Sequence, residues 1–342
     1  MTRRSLTLLL ASVLALGLAG AGSFATVPYV ALKPGPACNT LGTCYGQKVL
    51  SFSPERGKQR SGALQLTTVS VEDHLTLFEA LAGWLSPSEA VLPREVVFEP
   101  DKTQEQNNQE TAQEMVDSQD AATTAAMTYL GYKGTIRLYV SAVTSGAPAD
   151  GKLKAGDRIT SVDGTAVKSA DQLRKLISGR AVGEAVAIGY VRAGRPGSVT
   201  VTTVAAPDSS KRAIVGITPG VRTEFPIKVD IKLKDVGGPS AGLMFALGIV
   251  DLLGPVDLTA GVNVAGTGEI TPEGAVSPIG GIAQKMRGAK AEGATVFLSP
   301  ADNCDEARKT KPSGITLVKV STLKTALDAL RILREHGTPP SC

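Results

Sequence analysis

The sequence predicts a multidomain α+β protein: an N-terminal transmembrane helix, a middle unit of short strands, and a C-terminal unit mixing strands with buried helices. Three observations lead there. Residues Ser5 to Leu32 carry no charge. Residues 129–206 break into short β-like runs separated by glycine turns. A strictly alternating run from Phe225 is followed by the largely apolar "LMFALGIVDLL". With 342 residues, the chain holds about two domains plus extras. Its 42% hydrophobic and 20% charged residues mark a globular protein, not a disordered one. A net charge of +4, with no Lys/Arg block interleaved with aromatics, gives nucleic-acid binding no support.

The uncharged N-terminal stretch is longer than the core of a signal peptide and sufficient to cross a bilayer. Arg3 and Arg4 precede it, so the N-terminus is expected in the cytoplasm and the rest of the protein outside. Residues 1–33 are therefore read as an anchor in the cell membrane, with Pro28 near its outer end. Ser23-Phe24-Ala25 has the small-x-small form of a cleavage site, so removal stays open beside retention. All four cysteines, Cys38, Cys44, Cys304 and Cys342, lie beyond this segment. In an oxidising compartment they form two disulfides, Cys38–Cys44 with Cys304–Cys342 being the simplest of three pairings. No CxxC spacing occurs and there are only two histidines, so no metal is expected.

Residues 34–127 form an extracytoplasmic segment. "KPGPACNTLG" is turn-rich and "GALQLTTVSV" (62–71) reads as a strand. "VEDHLTLFEALAGWL" (71–85) has helical spacing, with His74 as a surface or boundary residue. Residues 101–128 lack Gly and Pro and become Ala-rich, which predicts a helix packed along Met115, Ser118, Ala122, Ala125 and Tyr129.

In the middle unit, 128–207, "IRLYVSAV", "AVAIGYV" and "SVTVTTV" read as strands and "SADQLRKLIS" as an amphipathic helix. Ala147-Pro148-Ala149 is expected to open a short helix, Gly156-Asp157 to turn into a strand Arg158–Val162, and Asp163-Gly164 to make a hairpin turn. The motifs GxPA, LxxGDxI and VDGxxV occur in that order within "VTSGAPADGKLKAGDRITSVDGTAV". With them this unit resembles a PDZ domain of the bacterial envelope type. The resemblance implies binding of an extended peptide, often the C-terminus of a protein, at a sheet edge. It also implies a φ-Gly-φ loop for the carboxylate, for which Leu130-Gly131-Tyr132 is the candidate. "GAPADGKL" (146–153) nearly matches a phosphate-binding loop, but Leu153 replaces the hydroxyl residue that would meet magnesium. No nucleotide or other cofactor is expected.

The chemistry centres on "DVGGPSAG". Phe225, Ile227, Val229, Ile231 and Leu233 alternate with polar residues as a strand with one wet face, and an apolar helix follows the motif. Ser240 thus sits at a strand-to-helix turn, where unpaired N–H groups around Gly238, Pro239 and Ser240 can stabilise an oxyanion. Gly238 to Gly242 also fits the GxSxG elbow of α/β-hydrolases. That reading needs a downstream histidine, and His336 near the C-terminus is the only one. A different base is available on the helix after "VSPIGG". There Ile282, Met286, Ala289 and Gly293 form an apolar stripe, with Arg287 and Lys290 off it. Lys285 lies on the same side, where desolvation disfavours its ammonium form and suits it as a general base.

"GPSAG", "GTGEI" (266–270), GxVxPIGGIxxK (274–285) and PxxN (300–303) follow one another in an order that closely resembles the proteolytic domain of Lon-type Ser–Lys peptidases. The resemblance spans about 222–333, within a domain placed at 215–335 before a tail at 336–342. It implies Ser240 as nucleophile, Lys285 as base, Thr267 as the hydroxyl residue that orients the lysine, and Gly237–Pro239 as the active-site loop. One departure is Gly237, where many Lon enzymes have an acidic residue; the nearest acid is Asp235. Anchor, PDZ unit, proteolytic domain and the phrase "VPYVALKPGPACNTLG" together resemble the PDZ-containing Lon-like proteases (YlbL-type, peptidase family S16) of Gram-positive bacteria. The resemblance implies an ATP-independent serine endopeptidase acting on protein or peptide substrates, with ring-forming homo-oligomers as a family analogy. The alternative is a catalytically silent PDZ adaptor, against which the presence of both Ser240 and Lys285 argues.

Overall fold

The computed structural model describes residues 3–208, 210–234 and 236–342, so Asp235 lies outside the described residues. The protein divides into two units. One joins the residues up to Gly131 to Ile227–Cys342; the other is Tyr132–Pro226. The 34–127 segment is therefore not a separate body: it is part of the unit that holds Ser240.

That unit begins with the helix Arg3–Phe24, whose window Thr7–Phe24 is long and apolar enough to cross a membrane by length and composition. The helix stops eight residues short of Leu32. Thr26 bridges to Thr76, and Tyr29 opens an eleven-residue strand, Tyr29–Asn39. The last apolar residues of the uncharged stretch thus belong to a sheet, where Val30 and Ala31 are buried.

The sheet has six strands, in the order Thr316–Val320, Val296–Pro300, Asn263–Gly266, Ala63–Glu72, Tyr29–Asn39 and Ala90–Pro93. The first four run parallel and the last two antiparallel to their neighbours. Near-continuous apolar runs such as "TVFLS" suit strands covered on both faces. The helix Gly242–Leu253 is buried at every position from Gly242 to Leu252, which accounts for its lack of a polar face. Packed on it is the long helix Gln104–Tyr129, begun by a capping box between Thr103 and Gln106. Met115, Ser118, Ala122 and Ala125 are buried as the spacing predicts, whereas Tyr129 is exposed. The alternation from Phe225 yields a shorter strand, Lys228–Ile231, paired with Leu50–Ser53. The expected 71–85 helix is the strand end Glu72 followed by a helix Leu77–Leu85, because Thr76 and Glu79 form a capping box there. The cysteines pair as Cys38–Cys44 and Cys304–Cys342. The tail is held further by a bridge between Ser341 and Val318.

The second unit is an antiparallel sheet ordered Arg195–Thr202, Ala185–Arg192, Arg158–Val162, Thr135–Val143 and Ile217–Glu224. Leu138, Val140, Ile159, Val162, Val186 and Ile188 fill its core. The helix Ala170–Ser178 covers that core and is capped by Ser169. Asp163 and Gly164, with φ of 46° and 77°, make the two-residue turn between Val162 and Thr165. Asp157 of the LxxGDxI motif is buried, accepting from the Lys154 amide at 2.8 Å and from Arg192 at 2.6 and 2.7 Å. Ala147–Ala149 forms turns, not a helix, closed by the Gly146 amide donating to Asp150. The unit extends to Pro226, not to 207, because Ile217–Glu224 pairs along the whole of Thr135–Val143.

The Cys304–Cys342 bridge closes a loop of 38 residues. Cys342→Ser should lower unfolding stability by about 2–4 kcal/mol, measured by denaturant titration under non-reducing conditions, and reductant should then have less further effect than on the unaltered protein.

Candidate active site

The loop that carries Ser240 lies between the strand Lys228–Ile231 and the helix Gly242–Leu253. Gly238 adopts φ of 82°, a left-handed conformation that glycine meets without strain, and the turn it makes presents Ser240. Two donors fix the Ser240 carbonyl: the Gly268 amide at 2.9 Å and Thr267 Oγ1 at 3.0 Å. Thr267 follows directly on the strand Asn263–Gly266 and is fully buried.

Lys285 lies in the first turn of the helix Ile282–Ala291, on the face predicted from the apolar stripe, and is 4% exposed. Its Nζ donates to Ser240 Oγ at 2.7 Å and to Thr267 Oγ1 at 3.2 Å. Among the described residues no carboxylate pairs with it, and burial pulls its pKa down to about 8. The sequence motifs now have local explanations. Asn303, the last residue of PxxN, accepts from the Ile279 amide and donates to the Ile279 carbonyl, both at 2.9 Å. It thereby pins the PIGG turn from which the lysine helix starts. Gly266 of GTGEI lies where a Cβ would come within 2.8 Å of Met244 Sδ.

A cleft of about 540 Å³ opens over the pair, lined by Ser240, Ala241, Lys285, Met115, Gly237 and residues 67–71 among others. The strand Ala63–Glu72 pairs with Asn263–Gly266 only through residues 63–66, so residues 67–71 have one unpaired side. Neither histidine is among the lining residues. His74 is exposed beside Asp73, and His336 ends the last helix with φ of 59°. A serine–histidine triad is therefore excluded from this arrangement.

The helix Gln104–Tyr129 contributes contacts that sequence reading missed. Its Thr111 carbonyl accepts from the Gly238 amide at 2.9 Å, and Ser118 Oγ donates to the Pro239 carbonyl at 2.8 Å. Two consequences follow. The Gly238 amide is engaged and proline has none, so of the expected oxyanion donors only the Ser240 amide is left, and the Ala241 amide, not among those expected, joins it; neither meets an acceptor among the described residues. The missing acid at Gly237 also has a cause: a Cβ there would lie 3.0 Å from both Cβ and Oγ1 of Thr111. A buried serine at helical spacing with alanines was the available signal, but Ser118 read as a small packing residue.

In the second unit a separate groove of about 300 Å³ lies between the helix Ala170–Ser178 (Leu173, Arg174, Ile177) and residues 212–219. One side is the strand Ile217–Glu224, the last of its sheet. Leu130, Gly131 and Tyr132 do not line it. Leu130 caps the long helix and faces a cavity with Val250 and Leu327. Instead the groove ends at Val215-Gly216-Ile217, a second φ-Gly-φ triplet, where Gly216 has φ of 77° and a Cβ would overlap Ala147. This triplet is legible in "AIVGI" but lies outside the 128–207 boundary.

Residues 200–331 match the model of the Lon protease (S16) C-terminal proteolytic domain, and residues 104–203 match that of the PDZ domain. Similar solved structures include the PDZ domain of an SdrC-like protein from Listeria monocytogenes, at 32% identity over 24% of this chain and 86% of that one, with a TM-score of 0.23. The PDZ domain of the SdrC-like protein from Listeria innocua is 31% identical over 24% and 92%, with a TM-score of 0.23. A protein from Geobacillus thermodenitrificans is 27% identical over 25% and 95%, with a TM-score of 0.22. No curated protein matches. The protein thus carries the proteolytic domain of an S16 serine peptidase and, before it in sequence, a peptide-recognition domain. These two matched domains, in this order, are those of a PDZ-containing Lon-like protease.

Gly237→Asp should force Thr111 or the loop to move, costing about 1–3 kcal/mol. The check is a lower thermal midpoint together with reduced peptide cleavage; a variant as stable and active as the parent would show that the long helix does not constrain the loop.

Proposed function

We propose that the protein is a membrane-anchored, ATP-independent serine endopeptidase in which Ser240 is the nucleophile and Lys285 the general base. The 2.7 Å bond from Lys285 Nζ to Ser240 Oγ carries this reading. Neutral Lys285 takes the hydroxyl proton as Oγ attacks the scissile carbonyl. The ammonium so formed returns the proton to the leaving amine as the C–N bond breaks, leaving an acyl-enzyme. Water then attacks the ester carbon, Lys285 again takes the proton, and the acid departs as Oγ is reprotonated. Thr267 positions the amine: its hydroxyl proton is committed to the Ser240 carbonyl, so its lone pairs face Nζ. The amides of Ser240 and Ala241 receive the oxyanion.

An extended substrate would add to the unpaired side of residues 67–71, which supply main-chain partners and line the cleft. In the PDZ unit, a peptide C-terminus would add to the free edge of Ile217–Glu224, with its carboxylate at Val215–Ile217. Unstructured tails and misfolded envelope proteins are the fitting substrates, since no step draws on a nucleotide. The phosphate-loop look-alike lies in turns with Leu153 buried in the PDZ core. The helix Arg3–Phe24 anchors the protein with both units outside the cytoplasm, a location in keeping with two disulfides.

Ser240→Ala and Lys285→Ala should each lower cleavage of an unfolded substrate by at least about 10³-fold, whereas His336→Ala should leave it unchanged. Activity surviving Lys285→Ala would sink the dyad. Because the neutral amine is the working form, kcat/KM should rise about tenfold per pH unit below the lysine's pKa and level off above about 8. For the groove, Gly216→Val should weaken binding of a peptide with a free C-terminus about tenfold or more, read by fluorescence anisotropy with cleavage of a short peptide as the control.

A further inference from the structure

The helix Leu77–Leu85 buries its small residues and exposes its large ones. Ala80 and Gly83 face the protein. Leu77 is 42% exposed, Phe78 46%, Leu81 42%, Trp84 54% and Leu85 87%. This inverts the usual amphipathic pattern, and a contiguous apolar face of this kind marks an interaction surface. The one charge on the helix, Glu79, is taken by the N-terminal capping box, accepting from Thr76 N–H and Oγ1.

Its position identifies what covers it. The end of the helix Arg3–Phe24 is tied to the start of this one: the Leu77 amide donates to the Ala25 carbonyl at 3.1 Å, and the Val27 amide to the Leu75 carbonyl at 2.9 Å. Gly22 lies so close to Phe78 that a Cβ there would be 2.9 Å from its ring. The exposed face therefore begins where the N-terminal helix ends, and Phe24, 86% exposed, continues it. Trp84 presents its ring outward yet has its indole N–H satisfied by the Val91 carbonyl at 3.3 Å, with Tyr29 edge-on at 5.3 Å. An aromatic pair with one apolar and one polar end suits a membrane–water interface.

We propose that the helix Leu77–Leu85 lies in the headgroup layer of the bilayer that the N-terminal helix crosses, docking the catalytic unit flat against the membrane surface. The proposal rests on the reading of Arg3–Phe24 as a membrane anchor.

Full-length protein in phosphatidylcholine vesicles provides the test, because Trp84 is the only tryptophan of the sequence. Its emission should fall about two-fold when lipids brominated on the upper acyl chain replace ordinary ones, and aqueous iodide should quench it poorly. Leu81→Glu combined with Leu85→Glu should abolish the bromolipid quenching while the protein still floats with the vesicles. Floating protein whose Trp84 ignores brominated lipid overturns the docking and leaves the anchor standing. Shielding from iodide that depends on protein density and not on brominated lipid also overturns it, and makes a second copy the occupant. Protein that does not float overturns the anchor and the docking together.

Discussion

A buried lysine with no carboxylate partner among the described residues is the constraint around which the unit holding Ser240 is arranged. Burial of Lys285 lowers its pKa from 10.5 to about 8, an unfavourable contribution of roughly 3 kcal/mol while the unfolded protein holds the proton. The sign matters. The cost is fully present below about pH 8 and is relieved as pH rises toward 10.5, so this group favours the fold most where it is neutral. A carboxylate beside the ammonium would restore stability and raise the pKa again. The structure instead gives Lys285 two hydroxyl oxygens, which can accept from either protonation state.

The loop that carries Ser240 needs a stiff support for the same reason: a 2.7 Å contact is lost with small displacements. Support comes from an element remote in sequence. Thr111 and Ser118 grip consecutive residues of the loop, one through a carbonyl and one through a hydroxyl, and Ser118 stands 121 positions before its partner Pro239. With Gly237 bare, the helix approaches close enough to make both contacts. The loop is held from outside, by a helix more than 100 residues earlier in sequence.

What could be read from the sequence was local, and what could not was pairing between distant segments. The strand–turn–helix around Ser240, the buried side of the lysine helix and the Asp163-Gly164 turn all follow from periodicity and turn chemistry over a few residues. The central sheet does not. Its strand Ala63–Glu72 meets Asn263–Gly266 across 200 residues, and nothing in either segment names the other. The same limit applies to "AIVGI": the triplet is legible, but Val215–Ile217 becomes the end of a groove only once Ile217–Glu224 returns to pair with Thr135–Val143. It also explains the overlong anchor, since Tyr29–Leu32 are as apolar as a membrane helix but are claimed by a sheet.

The strand Tyr29–Asn39 has a geometric consequence. Tyr29 packs on Trp84 at one end, and seven residues later Pro36 lines the cleft over Ser240. At about 3.3 Å per residue, that strand sets the cleft wall no more than about 23 Å from the aromatic pair. It therefore acts as a ruler. With the aromatic pair at the bilayer surface, as proposed, a membrane-tethered substrate would need a stalk of no more than about seven extended residues before its scissile bond. Proteins whose unfolded stalks exceed that span would be within reach, whatever their sequence.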